Sequence, residues 1–457
     1  MLFLVFNCIF WNSFIWISFA PVANYTNGYY GEGSAAWFSL FFMLSSFSFG
    51  IIGLNVGEFF GHEAVVICAS GMNVIGSTLR IFTSWWRLPP LDEDYRYWIA
   101  LLGQVIAGAG YPFVMYLPSK TSQEWFPAEE RTLATTVGVM GGPAAVLVAN
   151  LLVPQIVRST DDFWFLDFVL FLGIICHTPA CLLSFMAKEH DAEITGVQTM
   201  GYGQSFRECF SNKDYILTLI VLAGGIGLFN CLYTVMLEML CPVGYSNAIV
   251  GICAVTMISA GILGSVIVSL FVDRNKSHLK VFRVAISLAV ALGICFLSFT
   301  HIPNLSPLLI VVATLFGLTG LASYPVGLEI ATEAAFPAAL NVVSGSIVLC
   351  GQAFSIIFVI LVRFFAKPVG NSEIDFEQHT CRVDSNDVIN VPKNYLTPII
   401  IIGTISLSLI PLAMCIDVKY KRRKAEKDAK DIPNYRAILE EERELRRQQE
   451  EEDCSCL

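Results

Sequence analysis

Apolar stretches of roughly 20 residues recur along the chain, at 1–22, 35–56, 64–85, 98–117, 132–154, 164–186, 214–236, 246–271, 281–300, 307–328, 341–365 and 396–416, each bounded by short polar segments. At 1.5 Å of rise per residue, about 20 residues of helix cross the roughly 30 Å of bilayer hydrocarbon. A backbone in hydrocarbon must satisfy its own N–H and C=O groups, and these runs are about twice as long as barrel strands, so the pattern predicts helices. The chain reads as an all-α polytopic membrane protein with twelve transmembrane helices. The run at 1–22 leads into small residues of the kind found at cleavage sites. It lacks a basic start and is long for a signal peptide, so it is expected to remain as the first helix.

An internal echo divides the twelve spans into two sets of six. Tyr111-Pro112 near the end of span four precedes Phe126-Pro127-Ala128, and Tyr324-Pro325 precedes Phe336-Pro337-Ala338 at the same place in the second set. The separations are 213 residues (111 to 324) and 210 residues (126 to 336). Two homologous bundles follow, at 1–186 and 214–416, with a polar linker at 187–213 and a charged tail at 417–457. Parallel six-helix repeats with a site between them resemble the major facilitator architecture.

Composition agrees: 55% of residues are hydrophobic, 14% are charged, and the mean hydropathy of +0.63 exceeds what a water-soluble core could hide. The net charge of -10 is inflated by the Glu-rich C-terminus, and no basic, aromatic cluster suits a nucleic acid. Lys and Arg concentrate in the loops that face one side, among them Lys120, Arg131, Lys188, Arg207, Arg274 and the cluster Lys419–Lys424. That side, which holds both termini, is expected to be cytosolic. The sequon Asn24-Tyr25-Thr26 then falls outside the cell, a candidate for glycosylation. The fourteen cysteines have no CxxC spacing, so neither a metal site nor a cofactor is expected. Cys241 and Cys381, both extracellular in this topology, are a candidate disulfide.

Polar residues inside spans are costly and mark function. Asn12 and Trp16 lie four apart on span one, Asn230 and Tyr233 three apart on span seven, and Gln352 interrupts an apolar run on span eleven. These five are the candidate solute site. Asp167 and His177 on span six read as structural. At the cytosolic ends, Glu58 with Arg131, and Asp273-Arg274 with Glu329 or Glu333, read as a gate of ion pairs broken when the carrier switches sides.

WNSFIWISFAPVAN (11–24), GQVIAGAGYPFVMYLPSKTSQEWFPAEER (103–131), GGIGLFNCLYTVMLEMLC (224–241), FVDRNKSHLK (271–280) and YPVGLEIATEAAFP (324–337) resemble the feline leukaemia virus subgroup C receptor group of the major facilitator superfamily. Within it, SFAPVAN, AVLVANLLVP and LCGQAF are similar to the major facilitator domain-containing member seven branch. The resemblance implies a plasma-membrane carrier of haem, choline or ethanolamine, with an endolysosomal membrane as the alternative address. Trp16 matches an aromatic wall of the choline carriers' cation cage, and Asn12 and Gln352 also match. Asn230 stands where those carriers have a second cage aromatic, with Tyr233 one turn along, and Pro143 stands where they have a glutamine. The usual acidic-basic motif after span two is reduced to Glu58-Phe59-Phe60-Gly61.

The expected function is therefore facilitated, alternating-access transport of a small organic solute by a monomer in contact with membrane lipid. The competing reading is a transporter-like receptor or scaffold acting through its tail. No nucleophile with a base and no phosphate loop is present to make an enzyme.

Overall fold

The computed structural model describes residues 2–59, 61–85, 92–127, 129–183, 200–240, 243–368 and 393–430. The first span is α1 (Leu2–Ile17), extended by a 3-10 turn (Ala20–Val22) and α2 (Ala23–Tyr30). The second is a bent pair, α3 (Ser34–Ser48) and α4 (Gly50–Phe59), and the third is α5 (Gly61–Ser84). Spans four and five are also interrupted: α6 (Glu93–Val114) continues into α7 (Leu117–Trp125), and α8 (Arg131–Val139) into α9 (Gly141–Ile156). The sixth is α10 (Phe163–Leu183), after which α11 (Tyr202–Ser211) leads to the second set. That set comprises α12 (Lys213–Leu240), α13 (Asn247–Asn275), α14 (His278–Phe299), α15 (Ser306–Ala335), α16 (Leu340–Phe365) and α17 (Leu396–Met414). A two-residue antiparallel ladder, β1 (Lys367–Pro368) with β2 (Lys393–Asn394), joins the last two spans, and α18 (Lys421–Lys430) follows them.

Among the described residues eleven helical spans are long and apolar enough to cross a bilayer, and the α3–α4 pair, bent by 49° and counted as one span, makes twelve. The outward faces carry exposed Ile51, Phe82, Leu263, Ile267, Ile360 and Ile400, as a surface solvated by hydrocarbon requires. Each set packs its second and fourth spans at backbone contact. A Cβ on Gly108 would lie 2.5 Å from the Phe42 carbonyl oxygen, and one on Gly317 would lie 1.9 Å from that of Met257. Only glycine permits either approach. The two sets meet through a reciprocal pair, Gly50 of α4 against Leu349 of α16 and Gly345 of α16 against Leu54 of α4.

Leu2 lies beside Gly138 of α8, while Arg422 of α18 reaches α7 and the end of α15, so both ends of the described chain lie at one face. We call it the termini face.

The Asn24 sequon is part of α2, where the Thr26 hydroxyl is buried and donates to the carbonyls of Phe19 and Val22. Cys241 and Cys381 fall outside the described residues, as does the side chain of Glu58. Asp167, expected to be structural, has a structural partner. It is fully buried against Arg80 of α5, at 2.8 Å, with neither side chain exposed.

The Arg80 guanidinium also donates to the Ile15 carbonyl (3.2 Å) and the Ser18 hydroxyl (2.8 Å), and it stacks over Phe19 with its carbon 3.9 Å from the ring centre. Ser84 donates to the other carboxylate oxygen at 2.7 Å. This network ties α1, α5 and α10 together. Arg80→Met should lower stability by about 3–5 kcal/mol, because Asp167 is left buried without its counter-charge. Arg80→Met combined with Asp167→Leu should recover most of that loss. Thermal unfolding of the purified protein in detergent checks both.

Candidate functional site

A cavity of about 220 Å³ lies between the two sets of spans. Its walls carry Trp16 (α1), Phe42 (α3), Tyr111 (α6), Pro143 (α9), Asn230 and Tyr233 (α12), Tyr324 (α15) and Gln352 (α16). Trp16 packs against Phe42, ring centres 6.4 Å apart. Both the Trp16 indole N–H and the Tyr233 hydroxyl are buried without a hydrogen-bond partner among the described residues. Asn230 donates through Nδ2 to the Ser355 hydroxyl at 3.0 Å, which leaves its carbonyl oxygen free for a solute. Gln352, near the middle of α16, makes no hydrogen bond to a described residue. The echo residues Tyr111 and Tyr324, one from each set, line the same cavity. Apolar residues of α12, α14 and α17, among them Val235, Gly293, Leu297, Ile402 and Leu409, complete the lining.

No Asp, Glu, Lys, Arg or His is among the described residues lining the cavity. Chemically it offers aromatic faces, hydroxyls and two amides. Such a lining binds an organic cation through ring faces, at roughly 0.5–2 kcal/mol per contact, or a neutral solute through hydrogen bonds. A fixed anion would find no counter-charge.

Trp16, Asn230, Tyr233 and Gln352 are thus brought to one cavity, but Asn12 is not. Asn12 is fully buried behind the wall, where its Nδ2 donates to Asn73 Oδ1 (2.7 Å) and the Ala107 carbonyl (2.8 Å). It fastens α1 to α5 and α6. Residues four apart share a helix face in outline, yet the α1 face is wide enough for one to look inward to its own bundle and the other to the cavity.

The termini face is closed by a polar cluster that differs from the expected gate. Arg274 is exposed and pairs with neither glutamate. Arg422 of α18 takes that place: its Nη2 lies 3.0 Å from Glu329 Oε2 and its Nε 3.4 Å from Glu333 Oε1, with all three side chains at most 8% exposed. Arg422 also donates to Gln123 Oε1 of α7 (2.7 Å) and to Thr332 (3.1 Å). Asp273 accepts from the Leu133 amide at 3.0 Å, so it caps the start of α8 across the two sets. Nearby, Thr136 and Ser269 hydroxyls meet at 2.5 Å, and Arg131, itself buried, donates to the Phe126 carbonyl and lies within electrostatic reach of Glu329.

Sequence reasoning missed Arg80, Gln123, His278, Arg422 and the two echo tyrosines as site residues. Arg80 was legible as a lone cation in an apolar run, with Asp167 as its natural partner. The tyrosines were used only to establish the repeat. Arg422 carried no signal separating it from its basic neighbours.

A family model described as Major Facilitator Superfamily matches residues 2–359. Solute carrier family 49 member A3 of Danio rerio is 27% identical over 437 residues, which cover 93% of this chain and 88% of that one. The choline/ethanolamine transporter FLVCR2 of Homo sapiens is 26% identical over 388 residues, 78% of this chain and 70% of that one. A solved D-xylose-proton symporter superposes with a TM-score of 0.62 at 11% identity, covering 92% of this chain and 97% of that one, a likeness of fold.

The two amides should separate in a stability assay. Asn12→Ala strands Asn73 and the Ala107 carbonyl and should cost about 1–3 kcal/mol. Gln352→Ala, which breaks no hydrogen bond to a described residue, should change stability by less than about 1 kcal/mol. Thermal denaturation of the two purified variants checks the order.

Proposed function

The chain belongs to the Major Facilitator Superfamily, and from that premise we propose that it carries a small organic cation of the choline or ethanolamine kind between two faces of one cavity. At the coarser level the assignment is plain: a multi-pass membrane transporter related to the feline leukaemia virus subgroup C receptor carriers, and not an enzyme. The observation that carries the finer reading is the lining of the cavity. Among the described residues it is aromatic and uncharged, and it holds two buried donors, the Trp16 indole and the Tyr233 hydroxyl, that have no partner there.

An unpartnered buried donor costs about 1–3 kcal/mol, so a solute that accepts from it gains more than the same contact made in water. A quaternary or primary ammonium against Trp16, Phe42, Tyr111 and Tyr324 gains cation–π attraction, and the hydroxyl of such an alcohol can accept from Trp16 or Tyr233 and donate to Asn230. Among the described residues no carboxylate lines the wall to hold the cation firmly. Haem, with its carboxylates, has less support, because no Lys or Arg among the described residues lines the cavity.

Alternating access requires a closure at each end that breaks in turn. At the termini face the closure is the polar cluster of Arg422, Glu329, Glu333 and Asp273. At the opposite face it is apolar, Ala23 and Ala35 packed with Leu232 and Met236. The absence of a lining acid among the described residues supports facilitated movement without a proton or sodium ligand. We further take the sets as 1–186 and 214–416, the termini face as cytosolic from the Lys and Arg bias, the address as the plasma membrane and the working unit as a monomer. The member-seven branch remains part of this reading, carried by residues 18–24, 145–154 and 349–354.

Cells expressing the chain should take up labelled choline or ethanolamine faster than controls and should not take up an organic anion of similar size. Trp16→Ala should reduce that uptake by about tenfold or more with surface amount unchanged, and Trp16→Phe should retain part of it. Uptake unaffected by Trp16→Ala removes the indole from the site.

A further inference from the structure

The basic stretch after the last span has the composition of a segment lying on anionic lipid. In the structure it turns back under the bundle instead. The Arg283 guanidinium donates to the Ile416 carbonyl, the Asp417 amide donates to Asp214 at 3.0 Å, and the Leu279 amide donates to the Tyr420 hydroxyl at 3.3 Å. Up to this point every contact is with the second set of spans. The next turn differs. Arg422 Nη1 donates to Gln123 of the first set at 2.7 Å and to Thr332 of the second at 3.1 Å, its Nη2 donates to Glu329 of the second, and its backbone amide donates to Glu333 at 3.1 Å. Gln123 closes the ring by donating to Glu329 at 2.9 Å. Beside it, Arg423 donates to His278 Nε2 at 2.8 Å and lies 3.5 Å from Glu333, and His278 in turn meets the Thr132 hydroxyl of the first set at 3.3 Å.

We propose that the turn holding Arg422 and Arg423 is an autoinhibitory clasp: the tail holds the carrier with its termini face shut, and release of Arg422 sets how often that face opens. Three features support it. The clasp bridges the two sets, so it exists only when they are together at this face. Its charges are dehydrated while it is closed, and they regain water when it opens, so it favours one state without making the other inaccessible. It follows α17 in the chain and lies outside the twelve spans, so its release unwinds none of them. The glutamates on α15 are the anchor, and the cation that fills them comes from outside the twelve spans rather than from Arg274.

The proposal rests on the alternating-access reading, but its test reads conformation and not uptake. Hydrogen–deuterium exchange of the purified full-length protein follows the amides of 126–139, where the Leu133 amide is held across the sets by Asp273. Arg422→Gln should speed exchange there by about tenfold, with exchange of 163–174, around Asp167, unchanged. Arg422→Lys keeps the charge but cannot engage Gln123, Glu329 and Thr332 at once, so it should give a smaller rise at the same segment. Exchange at the wild-type rate in 126–139 for both variants overturns the clasp, as does an equal rise in every segment. If Arg422→Gln fails to fold, Arg422→Lys decides alone by the same criterion. A carrier of a different solute would give the same exchange result, so loss of the choline reading and loss of the clasp are told apart.

Discussion

Inside hydrocarbon a polar side chain without a partner is costly, and that constraint sorts every polar residue within these spans. Most are tied to protein. Arg80 and Asp167 neutralise each other behind α1, Asn12 is spent on Asn73 and a carbonyl, and the hydroxyls of many Ser and Thr side chains return to the carbonyl three or four residues before them. Others lack a partner among the described residues: Ser39 and one end each of Asn12 and Gln104 inside the first set, and, where the two sets of spans meet, the Trp16 indole and the Tyr233 hydroxyl, which line the cavity beside Asn230 and Gln352. A solute site is the place where the protein leaves such groups unsatisfied on purpose.

The same rule explains why the closures of the two faces differ in kind. Near the termini, water is close enough to take over the charges of Arg422, Glu329 and Glu333 when they separate, so an ion cluster can serve as a reversible contact. At the opposite face Ala23 and Ala35 belong to one apolar cluster with Leu232 and Met236. A carrier with one polar and one apolar closure has two different levers, and only the polar one is connected to the tail.

Much of this architecture was legible before any coordinates. Span length, the Tyr-Pro and Phe-Pro-Ala echoes and the composition led to twelve helices in two sets, because hydrocarbon leaves the backbone so little choice. The helix breaks after Tyr111-Pro112 and around Met140 were not legible, since a single proline or glycine pair says where a helix is weak but not that it yields. Periodicity brought Trp16, Asn230, Tyr233 and Gln352 to the same interface and failed at Asn12, where the two side chains on one helix face diverge toward different neighbours. The failure at Arg274 has another cause. Sequence proximity to the end of span eight favoured it, whereas the partner of Glu329 and Glu333 arrives from a segment 93 residues after Glu329, through a fold-back that no local pattern announces.

The central claim is that the aromatic, uncharged cavity is where the solute binds. The most direct measurement is an experimental structure of the purified protein with choline present at saturating concentration. The account predicts the ammonium against the Trp16 ring, with its hydroxyl within hydrogen-bond distance of Tyr233, Asn230 or Gln352. Choline seated elsewhere, or a cavity that remains empty while transport proceeds, would contradict it.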